Sequence, residues 1–141
     1  METAQQAAIT ITTTVNAPAD KVWQCWNEPQ HIMGWAFAHE SWHAPHAIND
    51  LRKDGRFTTT MAARDGSMSF DFGGVYTNVK TNTEIDYVMD DGRNVSIRFE
   101  RKNGHTVITE TFDPETQNPI DMQRDGWQAI LDNFKKYTEA L

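Results

Sequence analysis

The sequence predicts an α+β domain in which a curved antiparallel sheet of six to seven strands wraps around one long C-terminal helix. Two observations point to this fold class. Residues 51–112 alternate apolar and polar side chains in short segments separated by turn residues, which is typical of strands joined by hairpins. Residues 119–141 place apolar side chains at spacings of three, four and seven, which is typical of an amphipathic helix. Strands followed by a helix that covers one sheet face form an α+β fold.

The first part of the chain predicts one strand and two short helices. Residues 9–15 alternate mainly isoleucine and valine with threonine, which indicates a strand with one buried face. Residues 20–28 predict a helix that ends before Pro29, and residues 30–33 predict a second helical turn. Residues 35–49 are rich in aromatic side chains and histidine but show no clear period, so we expect an irregular loop there.

The middle of the chain predicts five more strands in a meander. The alternating segments cover residues 57–61, 68–76, 85–89, 95–99 and 106–112. Turn residues separate them, and Asn103-Gly104 is the strongest hairpin signal because both residues tolerate positive φ. Asp113-Pro114 ends the last strand.

The C-terminal segment predicts a helix with marked start signals. Asn118 can cap a helix, and Pro119 suits the first helical position because its missing N–H would be unpaired there anyway. No proline follows, so the helix can run about 34 Å to the end of the chain at ~1.5 Å per residue. An apolar stripe of that length requires an equally long apolar surface, which the sheet can supply.

Composition limits the class of protein. A chain of 141 residues is expected to form one domain, with its core spanning about residues 9–141. The net charge of −7 and the isoelectric point near 5.1 argue against nucleic acid or an anionic membrane surface as the main partner. Cys25 is the single cysteine, which excludes an intramolecular disulfide and fits a reducing compartment. Because no segment looks like a signal peptide or a membrane span, we expect a cytoplasmic protein without membrane insertion.

Aromatic side chains on the predicted inner face form either a solid core or the wall of a ligand cavity. A sheet curved around one helix tends to leave such a cavity, and polar residues that point inward would favour it. Gln123 is one candidate, because it shares its helical angle with Trp127 and Phe134.

Glu110 is the second polar candidate, because it shares strand parity with Ile108 and Phe112. If that parity faces inward, burial raises the pKa of Glu110 unless a donor such as Gln123 or Tyr76 satisfies the carboxyl. If the opposite parity is buried, Glu110 is an ordinary surface residue. The alternation alone leaves both arrangements open.

We predict nine residues around a ligand in this cavity, with two polar side chains orienting it and aromatic side chains forming the walls. The nine are Trp35, Phe37, Phe70, Phe72, Tyr76, Glu110, Gln123, Trp127 and Phe134.

The sequence does not favour a metal, a cofactor or a recognised catalytic motif. His31, His39, His43 and His46 stand at no recognised zinc spacing, so we expect no metal and no cofactor. Neither a nucleophile elbow nor a phosphate-binding loop is present. If the protein is an enzyme, we expect acid–base catalysis by Glu110 or by a histidine at the cavity mouth.

Five segments occur in a characteristic order. They are residues 15–23, Asp50-Leu51-Arg52 with Gly55, residues 72–76, residues 109–112, and residues 123–134 with Gly126-Trp127. Together they resemble the START/SRPBCC superfamily, which has the helix-grip fold. Within it, the chain is similar to the family named after the C-terminal domain of the activator of the heat-shock-protein-90 ATPase. The resemblance covers about residues 9–141.

This resemblance implies a helix-grip fold but no single activity, because the superfamily includes lipid carriers, hormone receptors and polyketide cyclases. The sequence departs from the family at two points. The chaperone activators carry a further N-terminal domain for which this chain has no room, and Asp54 stands where a second glycine commonly precedes Gly55. The family name therefore does not establish this protein's function.

Three hypotheses for function follow. The leading one is binding of a small hydrophobic or amphipathic ligand, lipid-like or aromatic, between the sheet and the long helix. The first alternative is a chaperone or stress-response interaction module that uses Trp35 and Trp42 as an exposed surface. The second is a polyketide cyclase-like enzyme. We expect a monomer or a weak homodimer, which could pair through an edge strand at residues 9–15 or 57–61.

Overall fold

The computed structural model describes residues 7–141, within which the chain forms three helices and one seven-stranded sheet. In chain order the elements are β1 (Ile9–Val15), α1 (Ala19–Asn27), α2 (Pro29–Ile32), β2 (Trp42–Asn49), β3 (Arg56–Ala63), β4 (Ser69–Lys80), β5 (Glu84–Met89), β6 (Asn94–Lys102), β7 (His105–Phe112) and α3 (Ile120–Glu139). The predicted α+β helix-grip fold is therefore confirmed, and the sheet has seven strands.

The sheet is antiparallel throughout and has the strand order β1-β7-β6-β5-β4-β3-β2. Strands β2 to β7 form a meander, because each pairs with the next along the chain. β1 pairs with β7 instead, so α1 and α2 carry the chain from one edge of the sheet to the other. The sheet curls into a half-barrel, and α3 lies along its concave face.

The hydrophobic core lies between this concave face and the helices. Alternate residues of β5, β6 and β7 are buried, as expected for a sheet with one face turned to the core. On α3, Leu131 and Phe134 are fully buried, and they follow one stripe of the helix. The opposite stripe of α3 is exposed and carries charged side chains such as Asp132 and Lys136, so the helix is amphipathic.

The prediction of a loop over residues 35–49 was wrong in its second half, where Trp42–Asn49 forms β2. The strand pairs with β3 but shifts register between His43 and His46, with Pro45 inside the shift. A bulge of this kind leaves two consecutive residues on the outer side, so the alternation that reveals a strand is interrupted. Pro45 lies on an edge strand, where a missing N–H is tolerated.

Two smaller predictions also need correction. Asn118 does not cap α3 through its side chain, because Pro119 occupies the N-cap position and makes no side-chain cap hydrogen bond. Residues 57–61 are not an edge strand, because β2 covers β3 on that side. The edges of the sheet are β1, as predicted, and β2.

Candidate functional site

A cavity of about 280 Å³ lies between the concave face of the sheet and α3. Every strand from β2 to β5 contributes to its wall, and so do β7 and the middle of α3. Most of the wall is aromatic or aliphatic, a composition that is common in small-molecule pockets. Phe70, whose side chain is 49 % exposed, lies where the wall meets solvent.

Six of the nine residues predicted for the site line this cavity. They are Trp35, Phe70, Phe72, Tyr76, Glu110 and Trp127. The long helix contributes Trp127, which packs edge-on against Phe72 at a ring-centroid distance of 6.0 Å. Predicted inner positions on the strands therefore meet a predicted inner position on α3.

Gln123 does not line the cavity, although it is buried as its helical angle predicts. Its Oε1 accepts a hydrogen bond from the backbone N–H of Glu115 at 2.9 Å. Its Nε2 donates to the carbonyl oxygens of Asn118 at 2.8 Å and Glu115 at 3.1 Å. Gln123 lies in the first turn of α3, beside the segment that leads into the helix, so its amide holds that segment to the helix.

Phe134 and Phe37 also lie outside the cavity wall. Phe134 is fully buried behind two tryptophans, with ring centroids 4.8 Å from Trp26 and 4.9 Å from Trp35. Phe37 packs half-buried against the core, and its carbonyl oxygen accepts a hydrogen bond from Asn133. Both residues support the wall from behind.

Trp35 is 6 % exposed, so it does not form an exposed partner surface. Its indole N–H donates to the carbonyl oxygen of Cys25 at 2.8 Å, and its ring packs against Trp26 with centroids 5.0 Å apart. Trp26, on the short α1, is a wall residue that the prediction missed. Helical spacing alone places Trp26 on the same side of α1 as Val22 and Trp23. It does not show that this side of α1 reaches the cavity.

Glu110 faces inward, which decides the parity that the alternation left open. It lies on β7 between Ile108 and Phe112, and it pairs with Ile11 on one side and Ile97 on the other. Its side chain is 6 % exposed, lines the cavity and makes no hydrogen bond to any residue of the described chain, 7–141. Burial among these apolar side chains raises the pKa of Glu110 to about 8.

The Tyr76 hydroxyl belongs to a hydrogen-bond network at the cavity wall and does not reach Glu110. Tyr76 Oη donates to Asn49 Oδ1 at 2.6 Å. Asn49 Nδ2 donates in turn to the carbonyl oxygen of Asn27 at 2.8 Å, which connects β2 to the end of α1. Burial raises the pKa of Tyr76, so its hydroxyl stays protonated. Asn49 lies in the segment predicted to be a loop, which is why its role was missed.

Tyr87 and Arg93 complete the polar part of the wall. Burial and then the negative charge of Glu110 raise the pKa of Tyr87, while the charge of Arg93 acts in the opposite direction. The Arg93 guanidinium is held by Asp91, with Nε 2.8 Å from Oδ2, and by the carbonyl oxygen of Asp113 at 3.5 Å. Arg93 therefore faces the cavity with its charge already compensated.

Histidines and acidic side chains also occur away from the cavity within residues 7–141. No cluster of three His, Cys, Asp or Glu side chains in this range could hold a metal ion. His31 Nδ1 is 2.8 Å from Tyr137 Oη, and His39 Nδ1 is 2.8 Å from Ser41 Oγ, so both histidines have local partners. None of the helices in this range has the length and hydropathy needed to span a membrane.

Solved structures of similar proteins share this fold over nearly the whole chain. An AHSA1-like protein from Aeromonas hydrophila is 43 % identical, with a TM-score of 0.86 over 94 % of this chain and 93 % of that one. A protein from Cytophaga hutchinsonii is 58 % identical, with a TM-score of 0.82 over 94 % of this chain and 92 % of that one. A Chromobacterium violaceum protein, 18 % identical, has a TM-score of 0.84 over 95 % and 99 % of the two chains and shows the fold alone.

The family comparison covers most of the sequence. None of the curated proteins compared with this chain matches it. The model of the family described as "Activator of Hsp90 ATPase homolog 1-like protein" matches residues 16–139. The seven-stranded half-barrel with α3 on its concave face agrees with this match. The chain belongs to this AHSA1 family, within the START/SRPBCC superfamily of helix-grip proteins.

Proposed function

We propose that the protein binds a small hydrophobic or amphipathic molecule in the cavity between the sheet and α3. The observation that carries this proposal is the Glu110 carboxyl, which is buried, faces the cavity and has no hydrogen-bond partner within residues 7–141. A buried polar group without a partner costs about 1–3 kcal/mol. The Glu110 carboxyl faces the cavity, so a ligand there would supply the missing partner and recover part of that free energy.

The size of the cavity supports a small ligand. Its volume of about 280 Å³ is close to the lower end of ligand pockets, roughly 300–1,000 Å³. An engineered apolar cavity of about 150 Å³ holds benzene. The cavity here therefore suits a molecule with two fused rings or a short branched chain rather than a long lipid.

Native mass spectrometry of the purified protein tests this proposal. We expect a co-purifying small molecule that is released when the protein is denatured and can then be identified by its mass. A matched pair of variants localises it. Thr59 is buried and lines the cavity, while Thr58 points to the opposite face of β3. Thr59→Phe should lose the bound molecule and Thr58→Phe should keep it, whereas equal retention by both variants contradicts a site in this cavity.

A second candidate, a cyclase-like enzyme, is favoured by one property of Glu110. Its pKa of about 8 lies near neutral pH, where a carboxyl can both give and take a proton. Such an enzyme should show a pH–rate profile controlled by one acidic group. That control should disappear in Glu110→Gln, and an unchanged profile in this variant would exclude Glu110 as the acid.

A chaperone partner has less support. The interaction hypothesis relied on Trp35 and Trp42 as exposed aromatic residues, but Trp35 is buried and only Trp42 is partly accessible. The free and buried Cys25 fits a reducing location such as the cytoplasm.

A further inference from the structure

Two titratable oxygen-bearing groups on the cavity wall have no hydrogen-bond partner in the described part of the chain. They are the Glu110 carboxyl on β7 and the Tyr87 phenol on β5, and each residue is 6 % exposed. Every other titratable group on the wall is already engaged, Tyr76 by Asn49 and Arg93 by Asp91. The cavity therefore offers two unused titratable groups, beside the Thr59 hydroxyl, in a mainly apolar space.

The strand register places these two groups on the same stretch of the inner face. Tyr87 pairs with Val95, and Glu110 pairs with Ile97. Val95 and Ile97 are two residues apart on β6, so the Cα atoms of Tyr87 and Glu110 lie roughly 10 Å apart across the sheet and roughly 7 Å along it. Both side chains point from the concave face into the same cavity. The charge of Glu110 acts on Tyr87, as expected for neighbours in one apolar space.

At neutral pH both groups carry a proton. Burial raises the pKa of Glu110 to about 8, and it raises the pKa of Tyr87 well above the ordinary value. The charged and titratable groups that face them are Tyr76 from β4 and Arg93 from the turn before β6. No titratable side chain reaches the wall from the three helices or from β2 and β3. Glu110 and Tyr87 can thus both act as O–H donors.

We propose that the cavity recognises an uncharged apolar molecule with a carbonyl group, such as an aryl ketone or a quinone, whose oxygen accepts hydrogen bonds from Glu110 and Tyr87. A carbonyl oxygen has two lone pairs and no proton, so it complements two donors without leaving either unpaired. This inference rests on the proposed ligand-binding function and names the chemical class of the ligand.

Charged ligands fit this site less well. A cationic amine would need an ionised Glu110, which burial opposes, and it would face the guanidinium of Arg93. A carboxylate would lose its hydration on entering, and Arg93 is already paired with Asp91. An uncharged acceptor avoids both costs.

A series of 2-substituted naphthalenes of similar shape tests the inference by calorimetric titration of the full-length protein. The series consists of 2-acetylnaphthalene, 2-isopropenylnaphthalene and 2-naphthoate, which present a ketone, a hydrocarbon and an anion. We expect the ketone to bind at least ~10-fold more tightly than the hydrocarbon, the effect of one to two hydrogen bonds in an apolar site. Equal affinities would overturn carbonyl recognition and leave ligand binding in place. If neither the ketone nor the hydrocarbon binds, the proposed function fails as well.

The pH dependence supplies a second measurement that a purely structural role of Glu110 would not affect. The ketone preference should be constant at acidic pH and fall as the pH rises through about 8, because the ionised carboxyl no longer donates. In Glu110→Gln the preference should persist at both ~pH 6 and ~pH 9.5, because the amide donates without titrating. A pH-independent preference in the unmodified protein would contradict the assignment.

Variants of the two donors complete the test. Glu110→Leu should bind the hydrocarbon at least as tightly as the unmodified protein and lose most of the ketone preference. Tyr87→Phe should lose part of that preference, whereas Tyr137→Phe, a phenol outside the cavity, should keep it in full. A ketone preference that survives in both Glu110→Leu and Tyr87→Phe would overturn the inference. If Glu110→Leu does not fold, Glu110→Gln and Tyr87→Phe remain decisive.

Discussion

The indole of Trp127 lies flat on the ring of Phe112, with centroids 3.8 Å apart and planes inclined by 8°. This stack joins the middle of α3 to the end of β7. Trp127 also forms part of the cavity wall, and its partner Phe112 lies two positions along β7 from Glu110. One contact between the helix and the sheet is therefore also part of the cavity wall.

Replacing Trp127 should weaken the fold and open the cavity together. Trp127→Ala removes the stack with Phe112 and the edge contact with Phe72, and we expect a loss of about 2–4 kcal/mol in the free energy of unfolding. Urea denaturation measures this loss. The control is the half-buried neighbour Gln128→Ala, which removes two hydrogen bonds, one to the carbonyl oxygen of Thr12 and one to Asp132, and should cost about 1 kcal/mol. Similar losses in the two variants would show that the stack does not hold α3.

Glu110 should make the protein less stable as the pH rises. Its pKa is raised from 4.5 to about 8 on folding, so the folded state binds one proton more than the unfolded state between these values. The free energy of unfolding should be highest near pH 4.5 and fall, on the order of 4 kcal/mol in total, until the pH reaches about 8.

Urea denaturation across this pH range measures the effect of Glu110. In Glu110→Gln the decline should be largely absent, because the amide does not titrate. Glu100→Gln, an exposed site on β6, serves as the control and should keep the decline. A Glu110→Gln variant that declines as steeply as the unmodified protein would refute the assignment.

Two glycines should respond in opposite directions to alanine. A Cβ at Gly126 on α3 meets nothing within 4 Å, so Gly126→Ala should stabilise the protein by about 0.5–1 kcal/mol through helix propensity. A Cβ at Gly34 would overlap the ring of Tyr137, so Gly34→Ala should destabilise by about 1–3 kcal/mol. Thermal unfolding of both variants tests the pair, and a stabilising Gly34→Ala would mean that the Tyr137 ring moves freely.

Two fully buried threonines offer a further matched comparison. Thr106 Oγ1 donates to the carbonyl oxygen of Ala17 at 2.9 Å, so Thr106→Val should cost about 1–2 kcal/mol. Thr138 Oγ1 is buried without a hydrogen bond inside residues 7–141 and faces the Cys25 thiol, a weak partner. Thr138→Val should therefore be neutral or stabilise by up to ~1 kcal/mol. If Thr138→Val costs as much as Thr106→Val, the contact of the hydroxyl with the Cys25 thiol is as strong as an ordinary hydrogen bond.

The elements with an unbroken period could be predicted from the sequence, because one face of each is buried. The alternation in β5 to β7 and the stripe on α3 follow directly from that burial. β2 was missed because the shift between His43 and His46 interrupts its alternation. A local pattern cannot reveal a strand that is irregular in its pairing.

The site was predictable only in part, for a different reason. Periodicity tells which side of an element is buried, but not which neighbour lies against it. Gln123 is buried as predicted, yet it contacts Glu115 and Asn118 rather than the cavity. Glu110 could be placed inside only once β7 was in register with β1 and β6. The orientation of Glu110 depends on contacts between segments distant in the sequence, whereas that of Gln123 depends on how the segment before α3 folds back onto its first turn.

The order of elements along the chain has a consequence for biosynthesis. The cavity needs α3, and β1 needs β7, with Ile9 paired to Phe112 across most of the sequence. A chain that emerges from the ribosome therefore carries the concave aromatic face uncovered until its last helix has been made. Because these late contacts join segments far apart in the sequence, folding should be slow to begin during synthesis and should finish only once α3 has emerged. A ligand present before α3 has been made could bind to the concave face before the helix covers that face.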